Sequence, residues 1–347
     1  MKQERFKILA VCGGNGSWLY SMKEYLTANI EPRSVFYTPN NLQWRANFGK
    51  RKKLYSHLQP SEVVPANVII GAPDCGSSSM MALTRSKKFS DPLENDSFNL
   101  FFNQVRESKP EIFFMENLPK AMPYIKSIGW LKKDYHLHFL VTSVTFFGNS
   151  QVGRVRLIVM GIRKDFKVNH KLIWKHITKP KKYKLKTTKQ LLSGLTIKNY
   201  HYRFGHVTEN INTKITIYAG KKMTLERIKK YWDSDPNQKR FIAKNRKYTT
   251  APGVYRNLPN EYPQVARKTN RQFNPDGIQM SPRELARIQG IPDNFRIVAY
   301  YGRMNKDIGY WINKGRTTAT KCPPYEVGLW MLWALKWIYE HKKLNIK

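Results

Sequence analysis

Apolar residues in this chain come in short runs punctuated by polar turns. Phe6 to Cys12 (FKILAVC) is the first run. Gly13-Gly14-Asn15-Gly16-Ser17 follows, and then a stretch from Trp18 to Ala28 with helical spacing. That order predicts strand, glycine turn, helix. Ser34 to Tyr37 is a candidate second strand, and Val68-Ile69-Ile70-Gly71 is a third that runs into Pro73-Asp74-Cys75. Phe101 to Glu107 predicts a helix, and Ile112 to Met115 predicts a buried strand ending in Glu116-Asn117. His138 to Thr145 and Arg156 to Met160 predict further strands. Strands alternating with helices imply an open, mostly parallel α/β sheet, whose ligands bind at the carboxyl ends of its strands. Gly14, Cys75 and Glu116 all fall just after predicted strands.

Length and composition narrow the picture. At 347 residues the chain predicts two lobes, or one large domain carrying an insertion. With 41% hydrophobic and 13% aromatic residues it can bury a core, which excludes a wholly disordered chain. No apolar run approaches the ~18 residues of a membrane span, so no membrane partner is expected. The first residues lack the apolar core of a secretory signal. Cys12, Cys75 and Cys322 are too few and too scattered for a disulfide framework or a zinc knuckle. A reducing compartment and no metal are the expectation.

Charge adds the partner. There are 61 Lys+Arg against 24 Asp+Glu, a formal net charge of +37. Such an excess points to a polyanion, most often nucleic acid. More than half of it lies in residues 166–275, which hold 26 basic and 5 acidic side chains. Clusters at Lys179 to Lys184 and Arg240 to Lys247 interleave with aromatic residues, which suits phosphate and base contact. A merely solvated lysine face explains single clusters, but explains this regional contrast less well.

Four segments carry candidate chemistry, each with a plainer alternative. Gly13, Gly14 and Gly16 let a ligand approach the backbone closely, though glycine turns are common in α/β proteins. Cys75, on a turn rich in glycine and serine, is a candidate nucleophile, although a lone cysteine is ordinarily structural. Glu116, at the mouth of an apolar strand, is expected to have a raised pKa and to serve as a proton donor. The plainer reading of Glu116-Asn117 is a helix cap. Arg154 and Arg156, two apart, point to one side of a strand and suit a bidentate grip on a carbonyl or an anion, or else form an exposed edge pair.

Taken in order, these segments resemble the cytosine-C5 DNA methyltransferase family. Cys12 to Ser17 resembles its Phe-x-Gly-x-Gly cofactor loop, Gly71 to Ser79 its Pro-Cys nucleophile motif, and Glu116-Asn117-Leu118 its Glu-Asn-Val motif. Gln151 with Arg154 and Arg156 is similar to its Gln-x-Arg-x-Arg motif. Ser281 to Pro292 is similar to the segment that follows the family's recognition region, and Thr318 to Pro324 to its terminal Gly-Asn-x-x-Pro-Pro motif. The resemblance implies a class I S-adenosylmethionine methyltransferase sheet with helices on both faces, plus a smaller target-recognition domain. It implies a catalytic lobe at 1–165, a DNA recognition domain at 166–305, and a return to the first lobe at 306–347 through a helix over about Tyr325 to His341.

The implied activity is methyl transfer from S-adenosylmethionine to C5 of a flipped cytosine in double-stranded DNA. The implied catalytic residues are Cys75 as nucleophile, Glu116 as acid, Arg154 and Arg156 on the base, and Asn117 bracing the turn. Cys12, Gly13, Gly14, Gly16, Ser17, Phe36 and Pro73 would meet the cofactor. Ser79, Arg85, Lys87 and Lys88, on a loop that closes over DNA, and Arg240, Lys244, Arg246 and Lys247 would meet DNA. A monomer in the cytoplasm of a bacterial or phage-infected cell fits this reading. Four departures stand out. Asp74 replaces a second proline, the Gln151–Arg154 spacing is one residue long, and Thr320 stands for the terminal asparagine. The family's ribose-binding Glu after the second strand maps near Val35, with no acid beside it, and its later Asp maps to Leu54 or Tyr55. Two other readings fit the same motifs: a DNA-binding protein of this fold with impaired catalysis, and a cytosine-C5 methyltransferase acting on tRNA.

Overall fold

Seven short segments pair edge to edge into a single sheet in the computed structural model. It describes residues 6–32, 40–49, 53–56, 65–74, 96–195, 259–263, 282–297, 319–320 and 322–342, with short pieces at 217–218, 221–222, 255–256, 272–273 and 280. The strands are β1 (Ile8–Val11), β2 (Leu26–Glu31), β3 (Lys53–Ser56), β4 (Val68–Gly71), β5 (Ile112–Asn117), β6 (Tyr135–Ser143) and β7 (Val155–Arg163). Their order is β3-β2-β1-β4-β5-β7-β6. Neighbours from β3 to β5 pair parallel, and β7 pairs antiparallel with both β5 and β6. This is the open, mostly parallel sheet that the resemblance implied.

Alternating side chains give the sheet two buried faces. Ile8, Ala10, Val68, Ile70, Ile112 and Phe114 enter one core, under helix α8 (Tyr325–His341) and helix α5 (His170–Ile177). Leu9, Val11, Ile69, Phe113 and Met115 enter the other, under α2 (Asp96–Ser108), α3 (Met122–Ser127) and α4 (Gly129–Asp134). The remaining helices are α1 (Asn40–Phe48), α6 (Thr188–Leu192) and α7 (Pro282–Ile288). A third apolar cluster gathers Met280, Leu285, Ile288, Ile291, Phe295 and Ala319 around α7. Phe166, Ile173 and Ile177 pack in the first core, beside Trp330 and Met331 of α8. No helix among the described residues is long and apolar enough to cross a membrane, and no metal-ligating cluster occurs among them.

The segment after β1 departs from expectation. Trp18 to Ala28 holds one 3-10 turn, Tyr20–Met22, instead of a helix, and the chain re-enters the sheet at Leu26. Trp18, Leu19 and Met22 are fully buried, but by a series of tight turns on the first core rather than by one face of a helix. The second strand is therefore Leu26–Glu31, and Ser34 to Tyr37 lies outside the described residues. β3 was not anticipated. β6 starts three residues before His138 and stops at Ser143, whose side chain accepts from the Thr145 amide to cap the next turn.

One glycine sets how closely α8 can approach this turn. A Cβ at Gly328 would strike the Trp18 carbonyl oxygen, a backbone atom with no freedom to yield. Gly328→Ala is expected to destabilise the fold by about 3 kcal/mol, the upper end for overpacking. Chemical denaturation reads this, and an unchanged midpoint would remove the close approach from the list of fold determinants.

Candidate active site

Parallel pairing brings the carboxyl ends of β1, β2, β4 and β5 to one rim of the sheet. At β1 the chain leaves the strand through Cys12, Gly14 and Gly16, with φ of 57°, 65° and 79°. Gly14 opens onto free space, since a Cβ there would meet nothing within 4 Å. The loop is anchored from β2. Asn29 Oδ1 accepts from the Gly13 amide at 3.2 Å, and Glu31 Oε1 accepts from the Gly14 amide at 2.6 Å and from Asn29 Nδ2 at 2.8 Å. Trp18 Nε1 donates to the Gly13 carbonyl at 3.0 Å.

Glu31 corrects the expectation that no acid follows the second strand. The expected position near Val35 lies beyond the strand, whereas β2 ends earlier and its last residue is the glutamate. Burial pushes the Glu31 carboxyl up to about 7, against the opposing pull of the Asn29 and Gly14 donors. Its signal in sequence was alternation: Ala28 and Ile30 enter the second core, while Asn29 and Glu31 are buried polar residues that bond to the glycine loop. Leu54 and Tyr55, where the later Asp was sought, lie on β3 beside β2.

The ends of β4 and β5 are tied together just before Cys75 and just after Glu116. Asn117 Nδ2 donates to the Pro73 carbonyl at 2.9 Å, and the Asp74 amide donates to Ser97 Oγ at 2.8 Å. Glu116 is buried and lies 2.8 Å from Arg156 Nε. Burial raises the Glu116 pKa, and the attraction of Arg156 and then Arg154 only partly offsets it. Cys75, Ser79, Arg85, Lys87, Lys88, Phe36, Arg240, Lys244, Arg246 and Lys247 lie outside the described residues. The other two cysteines are buried, and burial raises both thiols, Cys12 strongly and Cys322 against the opposing effect of its hydrogen bond with Ser17. Neither is set up to form a thiolate.

The long spacing between Gln151 and Arg154 is absorbed by a turn at Gly153, φ 74°. Arg154 Nη1 still reaches Gln151 Oε1 at 3.2 Å, and it also donates to Gln289 Oε1 at 2.9 Å. Arg154 Nη2 donates to the Cys322 carbonyl at 3.0 Å. Gln151 Nε2 meets Asn149 Oδ1 at 3.0 Å and Gln289 Oε1 at 3.1 Å, and Asn149 Nδ2 donates to Glu326 at 2.8 Å. Gln289 donates to the Thr320 carbonyl at 3.2 Å. Cys322 Sγ meets Ser17 Oγ at 2.6 Å, which closes the circuit back to the glycine loop. So Arg156 sits on Glu116, while Arg154 ties the entry of β7 to α7 and to the segment before α8. Asn149, Gln289 and Glu326 were not picked out from sequence, because the bonds from Asn149 to Glu326 and from Gln289 to Gln151 and Arg154 each span more than a hundred residues.

Comparisons with known proteins bear on the family and the fold. A profile described as C-5 cytosine-specific DNA methylase matches residues 31–311. A DNA modification methyltransferase encoded within a prophage of E. coli superposes with a TM-score of 0.62 at 18% identity, over 95% of this chain and 98% of that one. The Entamoeba histolytica methyltransferase EhMeth gives 0.56 at 12% identity, over 99% of each chain. The Dnmt2 methyltransferase of S. pombe gives 0.52 at 12% identity, over 98% of this chain and all of that one. Identities this low show a shared fold. No curated protein matches the sequence.

Proposed function

Because the chain belongs to the C-5 cytosine-specific DNA methylase family, and is thereby a methyltransferase, we propose that it methylates C5 of a cytosine flipped out of duplex DNA, through a covalent adduct on Cys75. S-adenosylmethionine would supply an electrophilic methyl group to the rim formed by β1 and β2. The residues there suit it: Gly14 opens onto space at a strand end, and the buried Glu31 carboxyl beside it is an acceptor for sugar hydroxyls. Cys12, Gly13, Gly16, Ser17 and Pro73 frame the same rim.

On the base, the Cys75 thiolate adds to C6 while Glu116, protonated, donates toward N3, so charge does not build on the ring. C5 gains nucleophilic character and takes the methyl group. Loss of the C5 proton then expels the thiolate and restores the aromatic ring. Arg156 orients Glu116 and faces the base, Arg154 is a positioning residue one step behind, and Asn117 holds the Pro73 carbonyl two residues before Cys75. The basic residues of a 166–305 recognition domain, with Arg85, Lys87 and Lys88, would hold phosphates. The observation that carries the reading is Glu116: a buried carboxyl with a raised pKa, paired to an arginine, one residue from the asparagine that anchors the nucleophile segment.

Bisulfite sequencing of host DNA, and of host tRNA in parallel, after expression of this chain tests it. Protected cytosines recurring in one short sequence are expected. Complete conversion, or protection confined to host tRNA, would overturn the DNA assignment. Cofactor binding has its own test. Glu31→Gln is expected to weaken S-adenosylhomocysteine binding by about tenfold, the scale of one hydrogen bond to a charged group. Wild-type affinity should rise as pH climbs through about 7, where Glu31 ionises and becomes a stronger acceptor. Titration calorimetry reads both, and equal affinities with no pH trend would remove Glu31 from the site.

A further inference from the structure

The opposite rim of the sheet holds a cavity of about 280 Å³, between the end of α2, the end of α4 and the strand ends of β6 and β7. Arg163 marks its place: its amide donates to the Glu111 carbonyl, just before β5 begins, whereas Glu116 lies near the far end of that strand. Five residues of strand put the two sites roughly 16 Å apart. No step of the methyl transfer uses this cavity.

We propose that this cavity binds a phosphorylated nucleoside, a mono- or diphosphate, with its phosphate on the basic rim and its base against Trp130. Five cations line the cavity: Arg106, Lys109, Lys133, Arg163 and Lys164. Two carboxylates, Asp134 and Asp165, oppose them. Arg163 is already committed, with Nε 2.5 Å from Asp165 Oδ1 and Nη1 donating to the Lys109 carbonyl. That pairing fixes its fork in place before any ligand arrives. The other four cations form no ion pair among the described residues. All four are exposed and line one small cavity, so they repel one another there to the extent that salt leaves unscreened. A phosphate dianion relieves it. Lys109 is also held with φ of 44°, an uncommon setting for a residue with a side chain.

Trp130 selects the organic part. It is half-buried, packs against the second core and has no ring partner among the described residues. A flat base therefore has a face to stack on, and Asp134 is an acceptor for sugar hydroxyls. The volume sits at the lower end of small-ligand pockets, ~300 Å³ and up, which suits one nucleotide and not a strand.

The test is titration calorimetry on the full chain, with saturating S-adenosylhomocysteine so that a nucleoside cannot report on the glycine loop. The probes are GMP, GDP, guanosine, inorganic phosphate and a short duplex. One equivalent of nucleotide is expected to bind, at least tenfold tighter than either phosphate or guanosine. The exposed pair Arg106→Glu with Lys133→Glu should weaken nucleotide binding more than tenfold and leave methyl transfer unchanged. Trp130→Leu should weaken the nucleotide but not free phosphate. No heat at millimolar nucleotide overturns the proposal. So does affinity indifferent to the charge reversals, or duplex DNA as the only probe whose binding they reduce.

Discussion

Replacing Cys75 by alanine is expected to cut methyl transfer to duplex DNA by at least ~10³-fold, because the covalent route closes and no other group stands in. Cys12 and Cys322 do not substitute. Both are buried, and burial holds both thiols protonated. The variant should still bind duplex DNA and S-adenosylhomocysteine as tightly as the wild type, which separates a lost nucleophile from a lost fold. A direct readout of the adduct exists as well. A duplex with fluorine in place of hydrogen at the target C5 cannot release the enzyme by proton loss. It should therefore trap wild-type protein as a band that survives denaturing electrophoresis, and Cys75→Ala should give none. Undiminished label transfer by the variant would refute the assigned nucleophile.

Glu116→Gln is the second large effect, with kcat expected to fall about 10²–10⁴-fold, the usual range for a lost general acid. The amide keeps the shape and hydrogen-bonding groups, but it has no acidic proton to transfer. The pH profile carries the sharper prediction. Burial raises the Glu116 pKa above that of an ordinary carboxyl, so its proton-donating form persists to higher pH. Wild-type kcat should decline as pH rises through that raised value, and Glu116→Gln should lose this limb. Because Arg156 pulls the Glu116 pKa down, Arg156→Ala should move the limb toward higher pH. Superimposable profiles for all three proteins would take Glu116 out of the proton inventory.

What could be read from sequence follows burial. β1, β4 and β5 are nearly unbroken apolar runs because the middle of a parallel sheet is covered on both faces, and such runs stand out in a sequence. β2 was misplaced because Thr27, Asn29 and Glu31 interrupt it, and two of those polar residues are spent holding the glycine loop. The same misplacement hid the acid at its end, since Glu31 is the last residue of β2. Glu116, Asn117 and the glycine loop were recognisable because each stands in a local motif. The circuit through Gln151, Arg154, Gln289 and Cys322 was not, because it joins segments up to 305 residues apart.

That circuit also limits how specificity can be exchanged between relatives. Gln289 follows α7, downstream of the most basic third of the chain, yet its side chain is shared with Gln151 and Arg154 at the entry to β7. A chimera that imports a foreign segment through residue 297 would leave the Arg154 guanidinium buried with part of its donor capacity idle, a costly state for a charge. Grafts should instead end before Met280, so that the host keeps its own α7.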